Sequence, residues 1–261
     1  MRDRSFIKQP NLPTGPVRLC AVSGLHPAVC EALRGRGIEV IEVQPHLPLP
    51  PPVAHHPDML LHHLGGREVM VARQADRLAE ALGQQGFAVT LTPQALGAAY
   101  PDDCALNCAR IGSRLLAKTG SLAAPLLDFC RQQEVHMVEV AQGYSKCSVC
   151  IVDETAIITA DPSIASAAAE QGIEVLQISP GGILLKGYPY GFIGGCCGLI
   201  DRRVLAFAGE VSTHPEGAAI LRFLVARGVE AVALTDGPLQ DIGSIIPLKQ
   251  EPETSLAHIM G

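Results

Sequence analysis

Five times along this chain an amphipathic stretch gives way to a short β-branched one, and at four of the five junctions the residue between them is glycine. The junctions are Gly37 before IEVIEV, Gly86 before FAVTLT, Glu134 before VHMVEVA, Gly172 before IEVLQIS and Gly228 before VEAVALT. Glycine closes helices because it enters the left-handed region at little cost, so each junction reads as a helix running into a strand. The strands open at Ile38, Phe87, Val135, Ile173 and Val229, with separations of 49, 48, 38 and 56 residues and a mean near 48. A period of that size belongs to a blade of several strands and not to a solenoid turn.

The unit within that period is strand, turn, strand, helix, strand. HPDMLLHHL and REVMVA flank the turn Gly65-Gly66 and precede the helix QADRLAEALGQQG and the strand FAVTLT. DCALNCARIG and SRLLAK, KCSVCIV and TAIITA, and GFIGGCCGLI and RVLAFAG open the next three copies. The fifth is split: DIGSIIPL supplies its inner strand near the C-terminus, while VRLCAVS, a helix and IEVIEV supply the rest near the N-terminus. The pattern predicts an α/β fold, a five-bladed α/β propeller of ββαβ repeats, with the ring closed by N- and C-terminal segments sharing a blade so that no sheet edge is left free. Residues 17–248 would form this single domain, with 1–16 an N-terminal arm and 249–261 a C-terminal tail. HLPLPPP (His46 to Pro52) reads as an extended connector, since proline lacks an N–H and fixes φ. A doubly wound sheet is the main competitor, but it wants one strand per helix and a Gly-rich first turn, and SGLHP is no G-x-G-x-x-G.

Composition bounds the function classes. The formal charge of −6 comes with no Lys/Arg-rich face, which argues against nucleic acid and anionic membrane partners. No apolar run approaches the roughly 20 residues that span a bilayer, and MRDRSFIKQPNLPTGP has no apolar signal region, so the expected location is cytoplasmic. Nine cysteines, an odd number, read as reduced and mostly buried residues in a chain large enough to build its own core.

The fivefold order and the strings HHPDMLLHHLGG, YPDDCALNCARIG, QGYSKCSVCIVDE, GYPYGFIGGCCG and DGPLQDIGSIIPL resemble the pentein, or guanidino-group modifying enzyme, fold, and within it a bacterial group to which no activity is attached. Arginine deiminase, dimethylarginine dimethylaminohydrolase and amidinotransferases share that fold, as does a non-enzymatic translation initiation factor that binds ribosomal subunits. The resemblance implies a central channel in which carboxylates grip a guanidinium, a histidine handles protons and a cysteine attacks the guanidinium carbon. It also implies a cysteine in the last inner strand, whereas Asp241, Gly243 and Ser244 stand around that slot here.

Residue types nominate a substitute constellation. His56 and Asp58 in HPD resemble the His-x-Asp pair of the fold, and Cys147 opens the third inner strand with Lys146 beside it. A planar cation suits paired carboxylates, and a thiolate is the strongest nucleophile a side chain offers. The expected catalytic residues are Cys147, His56 and His214, and the expected substrate contacts are Asp58, Asn107, Lys146 and Asp241. Blander readings stand beside these. The sequence favours reading Cys147 and Cys150 as small strand residues on opposite faces and His214 in THPEG as part of a helix start, and Asn107 reads equally as a core amide. Tyr188 and Tyr190 are available to wall a pocket. A zinc site from Cys147-x-x-Cys150 and Cys196-Cys197 is disfavoured because adjacent cysteines on a strand diverge, so neither metal nor cofactor is expected. Two function readings remain open. One is an enzyme hydrolysing or transferring at a C–N bond of a small guanidine- or amidine-like ligand; the other is a non-catalytic scaffold binding a ligand or partner. A homo-oligomer is compatible with either.

Overall fold

The computed structural model describes residues 4–252, and among them the chain forms five separate sheets. The chain opens with β1 (Ser5–Phe6), β2 (Val17–Ser23), α1 (Pro27–Gly35) and β3 (Glu39–Val43). A second unit contains α2 (Pro57–Leu60), β4 (Leu61–Gly65), β5 (Glu68–Val71), α3 (Asp76–Gln84) and β6 (Ala88–Leu91). The third has β7 (Ala109–Ile111), β8 (Arg114–Ala117), α4 (Ala124–Gln132) and β9 (His136–Glu139). The fourth has α5 (Ser145–Ser148), β10 (Val149–Asp153), β11 (Ala156–Thr159), α6 (Pro162–Glu170) and β12 (Glu174–Gln177). The fifth has β13 (Cys197–Asp201), β14 (Val204–Phe207), α7 (Gly217–Ala226) and β15 (Glu230–Ala233), after which β16 (Ile246–Gln250) returns to the first sheet and gives it the order β1-β16-β2-β3. In every unit the first two strands of the ββαβ order pair antiparallel and the helix carries the chain to a parallel third strand.

The junction residues explain why the sequence repeats visibly. Gly37, Gly86, Glu134, Gly172 and Gly228 all have positive φ. At each, the following apolar residue donates its N–H to a carbonyl five residues back: Ile38 to Leu33, Phe87 to Leu82, Val135 to Cys130, Ile173 to Ala168 and Val229 to Leu224. The junction residue itself donates to the carbonyl three back, which completes the double cap of a Schellman motif. The next residue then starts the outer strand, one position later than the sequence predicts. Glu134, at φ 53°, is the one side chain forced into this conformation. Glu134→Gly is therefore expected to raise stability by about 0.5–1 kcal/mol, read as a higher midpoint in urea with an unchanged slope.

Inner strands differ from the sequence expectation at their openings. HPDMLL and SKCSV start with the four-residue helical turns α2 and α5, and β7 is only three residues long. Turns this short have no periodicity of their own and are set by tertiary bonds; Asp58 N–H, for example, donates to Gly243 O at 3.2 Å. The Pro-rich segment is not extended: His46, Pro50 and Val53 carbonyls accept from Leu49, Val53 and His56, so it folds as successive turns for which proline presets φ. β4, β10 and β11 are almost wholly buried, whereas the outer strands β6 and β12 are largely exposed. The polar residues at the inner-strand openings, Asp58, Asn107, Lys146 and Ser244, are buried with them. β1 adds to the first sheet through β16, and residues 253–261 of the expected tail lie outside the described residues.

Candidate active site

Stepping back two residues from the start of each inner strand lands on Met59 before β4, Asn107 before β7, Cys147 before β10, Gly195 before β13 and Ser244 before β16. These equivalent positions meet. Asn107 Nδ2 donates to Cys147 Sγ at 3.0 Å and lies 3.3 Å from Met59 Sδ, while its Oδ1 accepts from the N–H groups of Lys146 and Cys147. Ser244 N–H donates to Gly195 O at 2.7 Å. The buried amide thus has its partners, and it fixes the turn that carries the thiol.

Charged and titratable groups from one position earlier, Asp58 and Lys146, and from three earlier, His56 and Asp241, join this layer. Asp58 Oδ2 accepts from Ser244 Oγ at 2.7 Å and from Cys147 Sγ at 3.1 Å, and Lys146 Nζ donates to Ser244 Oγ at 3.0 Å. Asp241 Oδ2 accepts from Phe192 N–H and its Oδ1 from Gly243 N–H. His56 Nδ1 lies 3.8 Å from Asp241 Oδ1. One ring nitrogen of His56, one oxygen of Asp58 and Cys147 Sγ lie within 4.8 Å of one another. Two glycines make the approach feasible: a Cβ on Gly195 would collide with Asp241 Oδ1, and one on Gly243, at φ 75°, with His56 Cβ.

Burial dominates the electrostatics. It pushes Asp241 up to about 6 against the pull of its backbone N–H bonds and Lys146, and raises Asp58 against His56 and Lys146. It lowers His56 to about 4, so the His56–Asp241 contact is no ion pair at neutral pH. Burial also drives the Cys147 thiol up, with the Asp58 and Asp241 charges adding to the effect.

A cavity of about 250 Å³ opens onto this cluster. His56, Cys147 and Asp241 stand among its lining residues; the walls are aromatic and aliphatic, from Tyr144, Tyr188, Tyr190, Phe192 and Leu185. Of the residues nominated from sequence, His56, Asp58, Asn107, Lys146, Cys147 and Asp241 are brought together, and Tyr188 and Tyr190 do line the pocket. His214 is not part of the cluster. Its Nε2 donates to Gly181 O and its Nδ1 accepts from Glu216 N–H at the start of α7, which is the work of a helix start. Cys147 does not alternate with Cys150 along a strand, because it sits in a helical turn; Cys150 instead lies within hydrogen-bonding reach of Cys197. Ser244 was missed. Its signal was the repeat register, since it holds the same offset before β16 that Cys147 holds before β10.

Comparison with known proteins places this arrangement. The model of a family of unknown function, DUF6873, matches residues 21–246. The chain belongs to that family. No curated protein sequence matches it. Among solved structures it is similar to an inosamine-phosphate amidinotransferase from Streptomyces griseus, with a TM-score of 0.59 and 11% identity over 98% of this chain and 99% of that one. A DDAH from Pseudomonas aeruginosa complexed with citrulline gives 0.53 and 10% over 84% and 92%. An agmatine deiminase from C. jejuni gives 0.54 and 7% over 87% and 90%. These likenesses show the pentein fold, and at such identities they show the fold alone.

Proposed function

We propose that the five sheets stand as blades about one axis, within a single domain, and that the cavity on that axis is the active site of an enzyme cleaving or transferring at a guanidine or amidine C–N bond. The observation that carries this reading is the convergence of a thiol, a histidine and the Asp241 carboxylate on the lining of an otherwise apolar cavity, with Asp58 accepting from that thiol. Asp58 and Asp241 with the single ammonium of Lys146 leave room for one further positive charge, which a planar amidinium supplies while the tyrosines cover its apolar substituent. The similar solved structures, which include amidinotransferases and deiminases, add support at the level of fold.

The step is nucleophilic displacement. Cys147 sulfur bonds to the amidine carbon, the C–N bond to the leaving amine breaks, and the thiol proton passes by way of His56 to that amine. Water, or a second amine, then attacks the same carbon; the C–S bond breaks and sulfur recovers a proton from the attacker. Asn107, donating to Cys147 Sγ, stabilises the sulfur as it gains charge. The nine free, buried cysteines suit a reducing compartment, and the reading places the protein in the cytoplasm.

A second reading has one observation in its favour: the Cys147 thiol faces two carboxylates, while the ammonium of Lys146 is directed to Ser244. On that reading the cavity binds a small cation without chemistry. Alkylation by an amidine-bearing chloride at neutral pH separates the two. Catalysis requires Cys147 to label at least a hundredfold faster than the other cysteines, and Asp58→Asn to slow it at least tenfold, both read by peptide mass spectrometry. Slow, uniform labelling of all nine leaves the binding reading standing and removes the catalytic one.

A further inference from the structure

We infer that His56, Asp58 and Cys147 form a binding site for one divalent transition-metal ion of the zinc class, independently of whether the cavity is catalytic. Their three donor atoms come from two different repeats, are buried, and lie within 4.8 Å of one another. Two of the side chains hold polar atoms with nothing to bond: among the described residues His56 Nδ1 and Asp58 Oδ1 are buried and lack any hydrogen-bond partner. Such orphaned atoms are costly in a protein interior, and two of them on side chains that cluster with a thiol ask for a shared occupant.

The donor chemistry selects the ion. One imidazole nitrogen, one carboxylate oxygen and one sulfur make a mixed set that suits zinc better than magnesium or calcium, which prefer oxygen alone. Tetrahedral bonds of about 2.0–2.3 Å set donors about 3.3–3.8 Å apart, so small side-chain rotations complete the geometry. The fourth position faces the cavity, where water or Asp241 Oδ1 fills it. Outer contacts are already in place: Asn107 Nδ2 donates to the sulfur, and Ser244 Oγ donates to Asp58 Oδ2, which leaves Oδ1 for the ion. On binding, the metal replaces the thiol proton, which leaves to solvent, and the charges of ion, thiolate, Asp58, Asp241 and Lys146 then sum to zero. The neighbouring thiols do not compete well: Cys196 and Cys197 both donate to Ile193 O, and among the described residues they belong to no second group of three metal-ligating side chains.

Metal-stripped full-length protein titrated with Co²⁺ alone tests the site. The expected result is one equivalent bound, with a sulfur-to-cobalt charge-transfer band and tetrahedral visible bands. Cys147→Ser should abolish the charge-transfer band, His56→Asn and Asp58→Asn should weaken binding at least tenfold, and Cys197→Ser should change nothing. In the unaltered protein, one equivalent of Zn²⁺ should slow iodoacetamide alkylation of Cys147 at least tenfold, a measurement that needs no variant to fold. An octahedral spectrum without the charge-transfer band, a band lost in Cys197→Ser but kept in Cys147→Ser, or unprotected Cys147 each overturns the inference. None of these results depends on turnover, so the site survives if the catalytic reading fails, and the reverse.

Discussion

Lys146→Met should cost about 3–5 kcal/mol of stability at pH 7.5, because it strands buried carboxylates. Methionine keeps most of the apolar stem, so the loss isolates the ammonium. That ammonium holds Ser244 Oγ, which in turn holds Asp58 Oδ2, and its charge opposes the burial-driven rise of both Asp58 and Asp241. Without it the two carboxylates must take up protons or the turn α5 must open. Two controls follow from that account. Asp58→Asn removes one of the stranded charges, so Lys146→Met made in that background should cost at least 1 kcal/mol less than in the native one. Lowering the pH to 5 should also shrink the cost, since Asp241, already pushed up to about 6, is then protonated in the folded state. Urea midpoints for the four combinations at both pH values provide the measurement. A loss under 1 kcal/mol, or strict additivity with Asp58→Asn, would show that the ammonium does not compensate these carboxylates.

The same residues show what a sequence can and cannot disclose. The junction glycines were legible because a left-handed residue at a helix end is a local demand, met wherever the cap recurs, and Glu134 was found by register although it is not the glycine expected there. The split first sheet was legible as an incomplete unit at each terminus, and β16 does pair with β2. Asp58, Asn107, Lys146, Cys147 and Asp241 stood out as polar residues leading into apolar strands, a placement that has to be justified by partners. What escaped was whatever tertiary contacts impose. The turns α2 and α5 last four residues each, too few for a helical period to show, and they displace Cys147 from the strand on which alternation would have paired it with Cys150. Ser244, at φ 75° after Gly243, looks in sequence like an ordinary Gly-Ser turn, and only the alignment of repeats reveals that it shares the offset of Cys147. His214 attracted attention by residue type alone, and its two ring nitrogens are both occupied by backbone groups at a helix start.

His62 should make folding acid-sensitive, and its replacement by asparagine should remove its share of that sensitivity. The ring is buried against Cys108, with Nδ1 3.3 Å from the sulfur. Burial lowers it to about 3, with Arg110, His63 and Lys146 adding positive charge in the same direction. An unfolded histidine titrates near 6.5. Above that pH both states are neutral and the residue contributes no pH dependence. Between 6.5 and about 3 the unfolded chain binds a proton that the folded chain refuses, so stability falls by about 1.4 kcal/mol per pH unit. His63, lowered to about 4 by burial, acts in the same sense. Buried carboxylates act in the opposite one: Asp58, Asp103 and Asp241 are raised, so the folded state takes up protons first as the pH falls and is favoured by acid. The total pH profile therefore mixes two signs, and the informative quantity is the difference between native protein and His62→Asn. That difference should be flat above pH 7 and should shift toward the variant by about 2–3 kcal/mol between pH 6.5 and 4.5, measured by urea unfolding at half-unit intervals. A difference constant across this range would mean that His62 is solvated and protonates in place.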